Sequence, residues 1–128
     1  MDLLGRDVTF ATLAKAQSAS STRSDLLAEN IANVNTPGYK RRDIQFQDEL
    51  SKALDDHSGT GADRVARVLD TTAKEVVQSD QFYRVDQGGV DIDSEMAELA
   101  KNNLYGSAMS SLLQDKLRMY KMIIRDGR

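Results

Sequence analysis

Four groups of residues in this chain have types and spacings that could do chemistry. The single histidine, His57, stands beside Asp55 and Asp56 and six residues before Asp63, a set that could hold a divalent cation. Transition-metal sites usually recruit a second imidazole or a thiolate. The chain has one His and no Cys, so an exposed loop histidine is the simpler reading. Asp91, Asp93 and Glu95 alternate as calcium ligands do, but the twelve-residue loop and its glycine are missing. Carboxylates just ahead of an apolar repeat cap a helix start instead. Lys40, Arg41 and Arg42 could clamp a phosphate, although a cationic run beside an acidic segment more commonly ends solvated or paired. Gly59 and Gly61 lack the Gly-Lys-Ser/Thr ending and the strand-loop-helix context of a phosphate loop. No nucleophile is placed with a base, so no catalytic, metal or cofactor-binding residue is assigned, and an enzyme is not expected.

The elements that must position these groups are bounded by composition. The 128 residues are 40% hydrophobic, only 5% aromatic and 29% charged, with one Pro, which suits one domain of helices packed on helices. The net charge of −3 is too balanced for the whole chain to favour nucleic acid, and no small-molecule substrate is expected. The lack of Cys excludes a disulfide framework but fits an oxidising compartment as well as cytosol. Asp2, Arg6 and Asp7 interrupt the stretch where a secretory leader needs an apolar run, so any export is expected to proceed without a cleaved signal peptide. No apolar run approaches the length that crosses a bilayer.

Charge by segment divides the chain into three. Residues 1–42 carry six basic and four acidic groups, residues 43–95 five and thirteen, and residues 96–128 six and three. Helical periodicity is sustained at the two mildly basic ends. In the carboxy-terminal part a 4,3 spacing picks out Ile92, Met96, Leu99, Asn103, Gly106, Ser110, Leu113, Leu117, Tyr120 and Ile124. In the amino-terminal part it picks out Leu3, Arg6, Phe10, Leu13, Gln17, Ser20, Ser24, Leu27, Ile31 and Val34. Both stripes are apolar at their ends and polar or small in the middle, so antiparallel pairing would lay the two waists side by side. Two helices of about 32 residues, roughly 50 Å each, leave apolar surface for the middle segment or for neighbours to cover. The apolar members of both stripes are the expected helix-packing or subunit-interface residues. Three parts follow: a helix over 1–34, an acidic middle over 35–91 and a helix over 92–128, the two termini forming one unit.

The middle segment opens on Asn30-Ile31-Ala32-Asn33-Val34-Asn35-Thr36-Pro37-Gly38-Tyr39. Pro37 disfavours a helical Thr36, and Pro-Gly suits the centre of a type II turn, so the first helix must end by about Asn35. Asn30, Asn33 and Asn35 could bond carbonyls at the helix end or amides of the turn, or reach laterally to a neighbouring subunit. Residues 43–46 suit a short strand or an extended arm, and Gln47 to Asp56 a short helix. Residues 57–63 suit a mobile loop, and residues 76–86 a strand or hairpin before Gly88-Gly89. The expected fold is mainly α, an antiparallel coiled-coil-like hairpin of long terminal helices with an irregular middle.

The blocks Ala28-Glu29-Asn30-Ile31-Ala32-Asn33 and Asn35-Thr36-Pro37-Gly38-Tyr39 resemble the signature of bacterial flagellar rod, hook and hook-associated axial proteins. A second block, residues 90–102, resembles the stretch that opens the carboxy-terminal helix of the short proximal-rod members. The resemblance implies a structural subunit of the basal-body rod, exported by the flagellar type III apparatus and assembled near the MS ring to transmit torque. It implies terminal helices paired in the inner tube, no cofactor, and a motif at Asn30, Ile31, Ala32, Asn33, Asn35, Thr36, Pro37, Gly38 and Tyr39. The implied partners are other copies, other rod proteins, MS-ring and rod-adaptor proteins, and the export apparatus. The implied location is the periplasmic rod of the basal body, after synthesis in the cytoplasm. The departure from that family lies in residues 51–89, where little resembles it. The reading from seams alone that competes with it is a cytosolic helical-hairpin adaptor or chaperone that binds partner helices.

Overall fold

The computed structural model describes residues 7–77 and 90–126. Four helices and two short strands follow in the order α1 (Val8–Ala32), β1 (Arg42–Gln45), α2 (Gln47–Asp55), α3 (Gly61–Asp70), β2 (Lys74–Val77) and α4 (Ile92–Asp126). The helix α1 starts where the Asp7 carboxylate accepts the Phe10 N–H at 3.0 Å, satisfying one of the free amides of the first turn. It ends at Ala32, two residues before the expected limit, because Asn33 closes the last turn onto Glu29 and Asn30. The elbow follows as expected: the Tyr39 N–H returns to the Thr36 carbonyl at 3.2 Å, and Gly38 has φ +75°, the positive value a type II turn demands.

The spine of the molecule is the antiparallel pair α1 and α4. Contacts run in opposite senses along the two chains, from Asp7 with Lys116 and Tyr120, through Gln17 with Ser110 and Ser20 with Asn102, to Asn30 with Glu95. The two waists therefore lie side by side. At their crossing Gly106 allows close approach, since a Cβ there would stand 3.2 Å from the Ser20 hydroxyl. Intramolecular packing of α4 is displaced by one residue from the expected stripe at three places. Glu95, Asn102 and Lys116 turn inward, while Met96, Asn103 and Leu117 face outward. Polar side chains take these positions because each meets a partner on α1 or β1, which a hydropathy pattern does not register.

The middle segment covers the opposite side of α1. Val65 and Val68 of α3 join Ala11 in a small core, closed by Val8, Leu50, Ala53 and Leu54. The strands pair antiparallel with Arg42 opposite Val77 and Gln45 opposite Lys74. The strand β1 and helix α2 fall within a residue of their expected places. The helix α3 corrects the expectation of a loop through residue 63. Thr60 and Asp63 form a reciprocal capping box, so Gly61, Ala62 and Asp63 are already the first helical turn. Leu3 and Arg6 of the first stripe, and most of the hairpin expected over 76–86, lie outside the described residues.

Candidate functional site

The elbow motif builds a buried polar hub at one end of the spine. Asn30 is wholly buried, and both donors and both acceptor positions of its carboxamide are used. Its Nδ2 donates to the Arg42 carbonyl at 2.7 Å and to Glu95 Oε2 at 2.9 Å. Its Oδ1 accepts the Tyr39 hydroxyl at 3.1 Å and the Arg42 N–H at 3.0 Å. One side chain thus fixes the elbow, the first strand and the start of α4. Burial first, and then the Glu75 and Glu95 carboxylates, push the Tyr39 hydroxyl up, so it stays protonated as the donor this arrangement requires.

Alternating charges extend the hub along the spine. Glu95, only 1% exposed, receives Arg41 Nε at 2.5 Å, and Arg41 also reaches Asp43 at 3.1 Å. Asp43 is gripped through both oxygens by Arg23, whose Nη2 continues to Glu98 at 3.1 Å. Burial alone would raise the Asp43 carboxyl, but the Arg23 hydrogen bond, the Ile44 N–H and the two guanidinium charges outweigh it and hold it below the usual carboxylate range. The Arg23 guanidinium is pushed up chiefly by its hydrogen bond to Asp43. Burial opposes the charge of Arg41, yet its bonds to Glu95 and Asp43 prevail and raise it. Buried charges persist only when paired in this way. Arg42 pairs with Glu29 and Glu75. The cationic run is therefore occupied at Arg41 and Arg42 by carboxylates of this chain, which removes the phosphate clamp.

The far end of the spine has its own polar clasp. Asp7 accepts the Tyr120 hydroxyl and pairs with Lys116 at 2.9 Å. Burial would raise Asp7, but Tyr120, Lys116 and the Phe10 N–H together lower it to about 2. Tyr120 is pushed up to about 12, first by its hydrogen bond to Asp7. Between hub and clasp, open grooves run among the described residues. One, about 540 Å³, is lined by neutral residues of the waists such as Gln17, Ser24, Asn102 and Ser107. The other, about 630 Å³, is lined by residues of α1, α2 and α4 and the turn before α2, among them Ala16, Ala19, Phe46, Leu50, Tyr105 and Met109.

The sequence-selected residues separate into three groups. Asn30 and Tyr39 meet in the hub, while Asn33 bonds the Glu29 carbonyl and the Thr36 hydroxyl, a local helix-end role. Ile31 is half-buried, and Ala32, Asn35, Thr36, Pro37 and Gly38 are exposed on the elbow. Leu27 is fully buried, Tyr120 is buried, and Phe10, Leu13, Val34, Leu99 and Leu113 are half-buried along the spine. Ile92, Met96, Leu117 and Ile124 are exposed, and with them Leu104 (74% exposed), Leu112, Met119, Met122 and Ile123 leave α4 an apolar outer side. His57 sits in its exposed loop, its Nδ1 2.7 Å from the Asp55 carbonyl. Among the described residues no group of three His, Asp or Glu could hold a metal ion, and Asp91 accepts the Asp93 N–H at the start of α4. No described helix is long and apolar enough to cross a membrane.

Sequence reasoning missed Glu95, Asn102, Arg23 and Asp43 as structural partners. The available signal was the recurrence of Glu95 and Asn102 seven residues apart, on one face of a long helix. A two-helix spine with a locked elbow and a bare apolar flank defines a helical protein built to pack against other chains. Comparison with known proteins specifies which. Residues 10–40 match the family model described as "Flagella basal body rod protein". The flagellar basal body rod protein FlgB of Salmonella typhimurium is 32% identical, over 88% of this chain and 90% of its own length. The proteins of the same name from Bacillus subtilis and Escherichia coli are 28% and 29% identical, over 94% and 88% of this chain and 95% and 90% of their own lengths. The chain belongs to the flagellar basal body rod protein FlgB family.

Proposed function

We propose that the chain is a structural subunit of the proximal rod, exported by the flagellar type III apparatus and assembled near the MS ring to transmit torque. Its two termini, residues 1–34 and 92–128, form the rod-core unit, and residues 35–91 form the segment carried outside it. The observation that carries this reading is the relation to FlgB proteins over nearly the whole chain. The bare apolar side of α4 supports it, because a subunit destined for a packed tube needs contact surface on a helix that its own fold leaves uncovered. Torque passing through such a subunit requires a stiff connection between its helices, and the paired charges from Glu95 to Glu98 supply cross-links of that kind. Copies of the chain, other rod proteins, MS-ring and rod-adaptor proteins and the export apparatus are its partners in this reading.

Export distinguishes the rod subunit from a cytosolic adaptor. In a strain that makes hook-basal bodies, the chain should leave the cytoplasm, and disabling the type III export apparatus should hold it there. An unchanged cytoplasmic pool in both strains would overturn the reading.

A further inference from the structure

The chain contains neither Cys nor Trp, so its methionine thioethers are the side chains most ready to give an electron pair to an oxidant. Four of them stand on α4. Met109 is half-buried and lines the larger groove, whereas Met96, Met119 and Met122 are 54%, 42% and 55% exposed. Tyr120 lies between Met119 and Met122 in sequence and is buried in the clasp with Asp7, so the two thioethers, one helical turn apart, stand on the outer side of α4. Leu112, seven residues before Met119, lies on the same line of the helix, and Ile123 adjoins Met122; both are about half exposed. The pair therefore sits within the apolar outer strip, in reach of a dissolved oxidant and outside the contacts that hold the spine together.

We propose that Met119 and Met122 form a paired oxidation site that turns this strip from apolar to polar and bars the chain from packing. A sulfur lone pair attacks one oxygen of hydrogen peroxide. The S–O bond forms as the O–O bond breaks, sulfur loses two electrons to the peroxide, and the proton of the transferred oxygen passes to the departing hydroxide, which leaves as water. The sulfoxide oxygen is a hydrogen-bond acceptor, and burying it in an apolar contact without a donor is unfavourable. Two sulfoxides one turn apart impose that cost twice on a single contact. A thiol-dependent sulfoxide reductase reverses the step, releasing the oxygen as water while two thiols become a disulfide. Oxidation leaves the spine folded, because the clasp and the hub are made by residues of α4 that face α1 and β1. The effect on packing rests on the rod reading, and the reactivity of the two thioethers does not.

Purified full-length chain is treated with hydrogen peroxide, digested and followed by mass spectrometry to give the oxidation rate at each methionine. Met119 and Met122 should gain oxygen at least about threefold faster than Met109, while the far-UV circular dichroism stays that of the untreated chain. In cells that build basal bodies, Met119→Gln with Met122→Gln sets polar amides of similar length on the strip and should lower incorporation about tenfold. Met119→Leu with Met122→Leu keeps the strip apolar and should enter at the parental level. In peroxide-treated cells whose free parental chain carries the two sulfoxides, newly made parental chain should enter several-fold less than the Leu pair. Oxidation of Met109 as fast as that of Met119 and Met122, loss of helix on oxidation, a Gln pair that enters as well as the parent, or a Leu pair as sensitive to peroxide as the parent would overturn the inference. The two readings fail separately. Parental chain missing from the basal bodies of untreated cells removes the rod and leaves the oxidation rates to decide the site, whereas parental chain and Gln pair present there in equal amounts remove the switch and keep the rod.

Discussion

Asn30→Ala is the substitution to which the hub should respond most sharply. It takes one partner each from the Tyr39 hydroxyl, the Arg42 N–H, the Arg42 carbonyl and Glu95 Oε2. A buried group left without its hydrogen bond costs about 1–3 kcal/mol. The Tyr39 hydroxyl is half-buried and can turn to water, whereas Glu95 cannot. Glu95 keeps Arg41 on its other oxygen. The expected loss is therefore about 2–4 kcal/mol, a large share of the stability of a domain this size. Urea denaturation of the full chain, followed by far-UV circular dichroism, measures it. Asn30→Asp tests the cause, because it sets a second carboxylate against Glu95 in nearly the same volume. Two facing carboxylates hold a proton more tightly folded than unfolded, so the defect should be smallest below about pH 4, the ordinary carboxylate range, where one donor is still missing, and grow as pH rises. An Asn30→Ala chain within about 0.5 kcal/mol of the parent, or an Asn30→Asp defect that does not change with pH, would show that Asn30 does not hold the hub together.

Three further outcomes follow from the spine. Asp7 is lowered from 3.8 to about 2 in the folded chain, so its contribution to stability is complete above about pH 4 and lost as pH falls towards 2. Asp7→Asn should flatten that part of the stability profile measured by urea midpoints. Gly106→Leu should cost about 1–3 kcal/mol by forcing the waists apart, since even a Cβ meets Ser20 at 3.2 Å; a raised melting temperature would contradict the close approach. Leu117 is 42% exposed in the single chain, so Leu117→Asp should change folding stability by less than about 0.5 kcal/mol yet block incorporation into basal bodies. Incorporation at the parental level would deny Leu117 an interface.

The sequence disclosed what rests on periodicity and local geometry. The two terminal helices, their antiparallel sense and the meeting of the waists follow from where apolar residues recur and where they stop, and the elbow follows from Pro37 and Gly38. Long-range polar pairing was not legible. Asn30 reads like a helix-end residue and Glu95 like a capping carboxylate, and only the folding of α1 onto α4 brings their side chains to 2.9 Å. The same blindness displaced the α4 stripe by one residue at Glu95, Asn102 and Lys116, where polar side chains face inward because they are paired. The helix α3 was hidden by Gly59 and Gly61 around its start, although Thr60 three residues before Asp63 is the spacing of a capping box. The hub itself was legible only in part: the motif marked its elbow, and nothing local pointed to Arg23, Arg41 or Asp43.

A rod subunit placed by its helices is found in detergent-washed basal bodies. Quantitative immunoblotting for the chain in purified particles should be paired with electron microscopy of a strain that lacks it. The expected result is the chain in the particle and the loss of rod and filament in the deletion strain. A particle without the chain, in cells that still build flagella when it is deleted, would contradict it.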